Sequence, residues 1–314
     1  MQHFTYEEKL ILGKMLRDPG NLFYKMPDDY TPCIDQCTIE KIEIPGPYGP
    51  VPCDIIRPKD GCTNDLLYIN IHGGGFVQIH HEWDTEMCCY YAVELGLTVV
   101  DVDYHLTPEY AFPVAINDCY AVTQYCHEHA AELGVNPEKI IIGGNSAGGT
   151  LSLDVCMMAH EKGAYIPDMM IMVYPAADMG HSFKDFSFSQ VKDMNLKELE
   201  VRSDLYNRLY CDDDPAAQSS PYCDFLNAPD DMFTEIPDTI LVTAGKDPLH
   251  FGAEKLPPKL LISGKSLSMR QFPESQHGFY VRTIGTEWKA ARDFILDRIA
   301  VHYGITRKES QKAK

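Results

Sequence analysis

The feature that most restricts what this chain can fold into is the recurrence of short apolar, β-branched runs separated by helix-length segments. Leu66 to Ile71, Thr98 to Val102, Ile140 to Ile142, Met169 to Tyr174 and Thr239 to Thr243 are each too short for a helix and are bounded by Gly, Pro or Asp. Continuous apolar runs are what strands buried on both faces require. Between them lie Thr85 to Leu95, Pro113 to Leu133 and Ser146 to Lys162, long enough to return over a sheet as helices. This alternation predicts an α/β fold with a mostly parallel central sheet flanked by helices. Upstream, Cys37 to Ile44 and Cys53 to Ile56 flank the turn-rich PGPYGPVP and read as an antiparallel pair at the start of the sheet, with prolines suited to an edge. A length of 314 residues allows two domains or one large one, and a single domain over 1–314 is expected.

Two segments stand outside that rhythm. Residues 1 to about 35 contain an amphipathic helix candidate in which Ile11, Leu12, Met15 and Leu16 share a face, followed by the irregular DPGNLFYKMPDDYTP. Residues 178 to about 226 contain SFKDFSFSQ, a helix candidate from Leu196 to Leu209 and the acidic turn CDDDP. In an open α/β sheet, substrates bind beyond the carboxyl ends of the strands, so segments leaving from that edge can roof a site. The insertion over 178 to about 226 is therefore expected to form a lid, extra packing surface being the alternative reading.

Charge and composition narrow the function classes. Lys plus Arg is 27 against 46 Asp plus Glu, a net charge of −19 that repels phosphate backbones and anionic lipid surfaces. Nucleic acid and membrane partners are not expected. Glu7, Glu8, Lys9 and Lys14 surround the only apolar cluster of the first twenty residues, which leaves no secretory h-region. The longest apolar stretch, Met169 to Tyr174, falls far short of the roughly 20 residues that cross a bilayer. Eleven scattered cysteines, an odd number, read as reduced thiols of a cytoplasmic protein. Cys88 and Cys89, Cys33 and Cys37, and the Cys119, Cys126, His127, His129 group match no zinc pattern with two complete ligand pairs, so no metal is expected.

One hexapeptide carries chemistry. Gly144-Asn145-Ser146-Ala147-Gly148-Gly149 follows the strand IIIG and opens a helix-length segment, the setting of a nucleophile on a sharp strand-to-helix turn. A serine there has strained dihedrals, and Cβ atoms two residues to either side would collide with neighbouring backbone, which explains the glycines. Ser146 is the candidate nucleophile. A GxSxG string alone also arises by chance, but a second motif strengthens the reading. His72-Gly73-Gly74-Gly75-Phe76 follows the strand LLYINI, and the N–H groups of Gly74 and Gly75, with that of Ala147, are candidate donors of an oxyanion hole. A phosphate-binding loop is the rival for three glycines, yet no Gly-Lys-Ser/Thr follows and the net charge is adverse.

A serine needs a base, and the base needs an orienting carboxylate. Asp247 lies three residues past TILVTA, and His277 lies just beyond the short strand candidate Leu267 to Phe272, giving the chain order Ser, Asp, His. Asp247 and His277 complete the candidate triad. Either residue alone would be weak evidence, since the chain has 12 histidines.

These residues closely resemble the hormone-sensitive-lipase-like branch of α/β-hydrolase esterases, marked by HGGG and GxSAGG motifs. The resemblance runs from about residue 66 to 282 and takes in Tyr104-His105-Leu106-Thr107-Pro108-Glu109, Phe112-Pro113, Asp118, Tyr174-Pro175, Ser220-Pro221 and the loops of Asp247 and His277. It implies an α/β-hydrolase fold, a serine carboxylesterase acting mainly on short acyl chains without a cofactor, and a cap made partly by the N-terminus. The sequence departs from the pattern in three places. Asn145 stands where the family usually has Asp. His105 replaces a usual Arg, so that an internal ion pair is expected to be absent or pH-dependent. Phe251-Gly252 replaces an acidic pair, so the helix there is expected to be shortened or rebuilt.

Phe76, Trp83 and Tyr174 are candidate substrate-binding positions, as are His80-His81; for His80-His81 and Trp83 a surface turn is an equal reading. The terminal TRKESQKAK reads as a solvated basic tail. The expectation is a serine esterase that hydrolyses small acyl esters, acetyl among them, through an acyl-enzyme at Ser146. A non-catalytic ligand-binding member of the same fold would be expected to lack the triad histidine. An amide-cleaving peptidase of the acylaminoacyl type would usually bring a large extra domain, and a longer-chain lipase a broad apolar surface. Oligomeric state is open, a homodimer being one reading.

Overall fold

The computed structural model describes residues 3–17, 32–179 and 204–308. Eight strands form one sheet in the order β1-β2-β4-β3-β5-β6-β7-β8. They are β1 (Cys37–Gly46), β2 (Gly49–Pro58), β3 (Leu67–Ile71), β4 (Thr98–Val102), β5 (Ile140–Asn145), β6 (Met169–Val173), β7 (Asp238–Ala244) and β8 (Leu267–Phe272). From β4 to β8 neighbours pair in parallel, and β2 alone runs against the rest. The expected antiparallel pair is present, but its strands run on through most of PGPYGPVP: Pro45 lies opposite Pro50 and Gly46 opposite Gly49, which leaves Pro47 and Tyr48 as the turn. Proline is tolerated there because β1 is the edge strand.

Strand side chains alternate between two apolar layers. Ile140 and Ile142 enter the layer containing Val122 of α3 (Val114–Glu128) and Leu151 of α4 (Ala147–Glu161). Ile141, between them, enters the opposite layer, with Met87 of α2 (Glu82–Leu95) and Ile295 of α5 (Trp288–Tyr303). Each face is therefore sealed by a helix pair, which is why the central strands carry no polar alternation. The segment expected as one helix over 113–133 breaks at His129 into α3 and a short turn of helix, Ala130–Leu133, closed by Gly134 in the left-handed region at φ 73°. Helix α5 has no counterpart among the expectations above, although Ala291, Ile295 and Ile299 repeat along one face and are buried.

The N-terminal helix α1 (Tyr6–Arg17) forms as expected but docks by a different face. Ile11 and Met15 are 61% and 68% exposed, whereas Lys9 and Gly13 are buried. The reason is that polar anchors and close approach decide the docking. Lys9 Nζ donates to Asp212 Oδ1 at 2.6 Å and to its carbonyl at 3.0 Å. A Cβ at Gly13 would stand 2.6 Å from Pro108 Cδ, so only glycine lets the helix lie this close. Arg17 donates to the Val77 and Thr107 carbonyls at 2.8 and 2.7 Å and pairs with Glu109.

The insertion after β6 leaves and returns at one place. Met179 N–H donates to the Cys223 carbonyl at 2.8 Å, and Phe225 N–H to that of Ala177 at 3.2 Å, making a two-rung neck. Of the helix candidate Leu196 to Leu209, residues 204–210 are helical; 196–203, SFKDFSFSQ and most of DPGNLFYKMPDDYTP lie outside the described residues, as does the end of the basic tail.

Candidate active site

Parallel strands bring their carboxyl ends to one edge, and the residues singled out above follow those ends. Ser146 follows β5, His72–Gly75 follows β3, Tyr174 follows β6, Asp247 follows β7 and His277 follows β8. Ser146 has φ 54° and ψ −121°, an uncommon backbone for a residue with a side chain. Its amide donates to the Val173 carbonyl at 2.8 Å, which holds the turn in place. The two flanking glycines are required sterically: a Cβ at Gly144 would lie 2.1 Å from the Ile71 carbonyl oxygen, and one at Gly148 only 1.8 Å from the same atom.

Ser146 Oγ is 2.9 Å from His277 Nε2, and His277 Nδ1 is 2.6 Å from Asp247 Oδ2. A carboxylate only accepts, so the proton belongs on Nδ1 and the lone pair on Nε2 accepts from the serine hydroxyl. Asp247 is 1% exposed, and its second oxygen accepts the Leu249 amide at 3.0 Å. His250, buried beside it, donates from Nδ1 to the Asp247 carbonyl at 2.5 Å.

The HGGG loop turns on glycine backbone. Gly74 and Gly75 have φ of 110° and 60°, and the Gly74 carbonyl accepts the amides of Val77 and Gln78. A Cβ at Gly75 would stand 2.5 Å from the Tyr206 ring, so a side chain of the insertion lies directly on this loop. Gln78 Nε2 donates to Tyr206 Oη at 3.0 Å and to the Leu16 carbonyl at 3.3 Å, joining the insertion and α1 to the loop. Ala147 is the first residue of α4, where an amide has no acceptor within its own helix.

The three substrate-binding candidates have different surroundings. Phe76 is 3% exposed and stacks on Tyr210 with ring centroids 3.7 Å apart, bracing the loop against helical residues 204–210. Trp83 is half-buried, packed on His81 and under the Arg282 guanidinium. Tyr174 is buried with its ring 4.9 Å from that of His277. His80 is not a surface turn residue: its Nε2 lies 2.7 Å from Asp101 Oδ2, in a buried network where Asn70 also donates to Asp101. Burial opposes the charged ring, but the Asp101 charge and hydrogen bond outweigh it and push His80 up to about 10. His72, wholly buried, is held down to about 3.

The three departures from the family pattern also have physical accounts. His105 keeps a carboxylate partner, with Nδ1 2.7 Å from Asp118 Oδ2, an oxygen that also accepts the His105 amide at 3.0 Å. The carboxylate contact is thus present as a hydrogen bond. Phe251-Gly252 belongs to a single turn, His250–Ala253, followed by another, Pro257–Leu260. Asn145 donates to Asp84 Oδ1 at 3.3 Å. Asp84, Gln78, Tyr206 and His250 carry no local motif, and only long-range contact reveals them.

None of the eleven cysteines is joined in a disulfide, and only Cys62 is exposed. Among the described residues no three His, Cys, Asp or Glu side chains group to hold a metal, and no helix is long and apolar enough to cross a membrane.

Residues 68–281 match a protein family described as the α/β-hydrolase fold, and the chain belongs to that family. A carboxylic ester hydrolase, LipN, of Mycobacterium tuberculosis is 29% identical over 251 residues, covering 77% of this chain and 64% of its own length. This chain therefore spans somewhat less than two thirds of that relative. An acetyl esterase of Salmonella choleraesuis is 28% identical over 244 residues, covering 77% of this chain and 73% of its own. Among solved structures, a hyperthermophilic esterase of the archaeon Pyrobaculum calidifontis superposes with a TM-score of 0.76 at 28% identity, covering 94% of this chain and 90% of its own. A bacterial heroin esterase gives 0.75 at 27%, covering 92% and 88%.

Proposed function

We propose that this chain is a serine carboxylesterase that hydrolyses short-chain acyl esters, acetyl esters foremost, through an acyl-enzyme on Ser146. The observation that carries the reading is the unbroken series Asp247–His277–Ser146, with hydrogen-bond distances of 2.6 and 2.9 Å, at the carboxyl edge of a parallel sheet. Esterase relatives of two bacterial genera support it.

In the proposed reaction Ser146 Oγ attacks the ester carbonyl carbon while its proton passes to His277 Nε2. The carbonyl oxygen becomes an oxyanion that accepts from the amides of Gly74, Gly75 and Ala147; one such donor is worth about 2.7 to 4 kcal/mol. Collapse breaks the bond to the leaving alkoxide, which takes the proton from Nε2. Water then gives a proton to Nε2 and attacks the acyl carbon, and a second collapse returns the proton to Ser146 and frees the carboxylic acid. Asp247 keeps the proton of the resting ring on Nδ1 and stabilises the imidazolium.

Residues 1–35 and 178–226 act as the cap in this reading. The Tyr206 ring on Gly75 and the Phe76–Tyr210 stack support a small acyl space, because both bring the cap down onto the oxyanion loop. Trp83 and Tyr174 bound the substrate from the α2 and β6 sides. The substrate is a small molecule, and eleven cysteines without a disulfide suit a cytoplasmic setting. The test is hydrolysis of p-nitrophenyl esters from acetate to palmitate by the wild-type protein and Ser146→Ala. Turnover should peak on the shortest chains and fall about 10⁴- to 10⁶-fold in the variant. A peak at octanoate or longer would overturn the chain-length reading, and wild-type turnover in Ser146→Ala the nucleophile.

A further inference from the structure

Asn145, buried at the end of β5, joins the nucleophile turn to the two segments that flank it in space. Its Oδ1 rests on Gly73, where a Cβ would stand 2.5 Å from Oδ1 and 2.8 Å from the Asn145 carbonyl oxygen. Its Nδ2 donates to Asp84 Oδ1 at 3.3 Å. Asp84 sits in the first turn of α2, the helix that follows the HGGG loop, and its Oδ2 accepts the His81 amide at 3.3 Å. One side chain thus spaces the oxyanion loop from the serine turn and ties that turn to the helix holding the loop's far end.

The surroundings of Asp84 dictate what residue 145 must be. Burial pushes the Asp84 carboxyl up to about 6, with the Asp101 charge from β4 acting the same way. The His80 charge from the preceding loop and the His81 and Asn145 donors hold it down. Tyr68 of β3, Tyr104 after β4, Tyr174 after β6 and Cys88 of α2 also face this charge. An amide at 145 gives the carboxylate a donor, whereas a carboxylate at 145 would leave two buried acids sharing one proton. Once both ionise, repulsion acts on the contact between residue 145 and Gly73.

We propose that Asn145 and Asp84 are positioning residues that set the Gly74 and Gly75 amides at their working distance from Ser146, and that position 145 requires an amide because its partner is a carboxylate. This rests on the esterase reading. The test compares wild type, Asn145→Asp and the exchanged pair Asn145→Asp/Asp84→Asn, with kcat and KM for p-nitrophenyl acetate measured from about pH 5 to about pH 9. Asn145→Asp should lose kcat with little change in KM. The loss should be small at acid pH, where the acids share a proton, and grow to about 10²-fold at alkaline pH. The exchanged pair should regain the wild-type profile. A wild-type profile in Asn145→Asp, or a folded exchanged pair still tenfold or more below wild type, would overturn the proposal. If Asn145→Asp alone does not fold, the exchanged pair decides on its own. Failure of the esterase reading looks different: the wild type itself then lacks Ser146-dependent turnover.

Discussion

The serine turn and α1 are held in opposite ways. At the turn the contacts are backbone against backbone: Gly144 and Gly148 press on the Ile71 carbonyl, and the Ser146 amide is fixed to Val173. Helix α1 is held by side-chain tips, Lys9 on Asp212 and Arg17 on Glu109, with one glycine contact at Pro108. Backbone contacts leave no room for adjustment, whereas ion-paired tips can shift by rotamer changes. The serine turn is therefore expected to be intolerant of substitution and α1 tolerant.

Four substitutions test that contrast, in order of falling effect. Gly148→Ala drives a methyl to within 1.8 Å of a backbone oxygen that cannot yield. It should cut kcat by about 10²-fold or more, since misplacing a reacting group by about 1 Å costs that much; turnover within a factor of about three of wild type would refute the rigid-edge view. Tyr206→Ala removes a ring from the cap side of Gly75 and should raise hexanoate relative to acetate turnover about tenfold, in keeping with about 1 to 3 kcal/mol per fitted methylene. An unchanged chain-length profile would mean that this ring does not bound the acyl group.

Asp154, on α4 with the serine turn at its start, is wholly buried, and neither carboxylate oxygen has a hydrogen-bond partner among the described residues. Burial raises its pKa well above the ordinary carboxylate range. The folded state therefore binds this proton more tightly than the unfolded chain, and its contribution is complete below about pH 4 and is lost as pH rises through the raised value. Asp154→Leu should stabilise the fold by about 1 to 3 kcal/mol at neutral pH and by less in acid. Thermal unfolding at both pH values checks this, and an equal gain at the two would contradict it. Smallest is Lys9→Met, which removes a pair whose partner Asp212 is well exposed. It should cost about 1 kcal/mol or less in unfolding while leaving kcat on acetate esters near wild type. A large kcat loss would show that α1 couples rigidly to the site.

The same division governs what could be read from residues alone. The strands were legible because burial on both faces demands continuous apolar runs, and the serine turn because its geometry admits only glycine at 144 and 148. Asp247 and His277 were legible by chain order and by their position after strand ends. The docking face of α1 was not, because Ile11, Leu12, Met15 and Leu16 look like a core stripe, while the deciding partners of Lys9 lie some two hundred positions away. Asn145 stands out in the sequence only as a departure from a pattern; that it meets Asp84 depends on how α2 packs on the sheet. Helix α5 carried an ordinary periodic signal at 291, 295 and 299 and needed no tertiary information to be found.

The two-rung neck at Ala177–Met179 and Cys223–Phe225 has a wider consequence. Because the excursion departs and rejoins at neighbouring points, residues can be added, deleted or exchanged beyond the neck without altering the register of any strand. On the proposed reading, selectivity and reaction chemistry are thereby separable in heredity: drift can remodel what lies beyond the neck while the serine turn stays as it was.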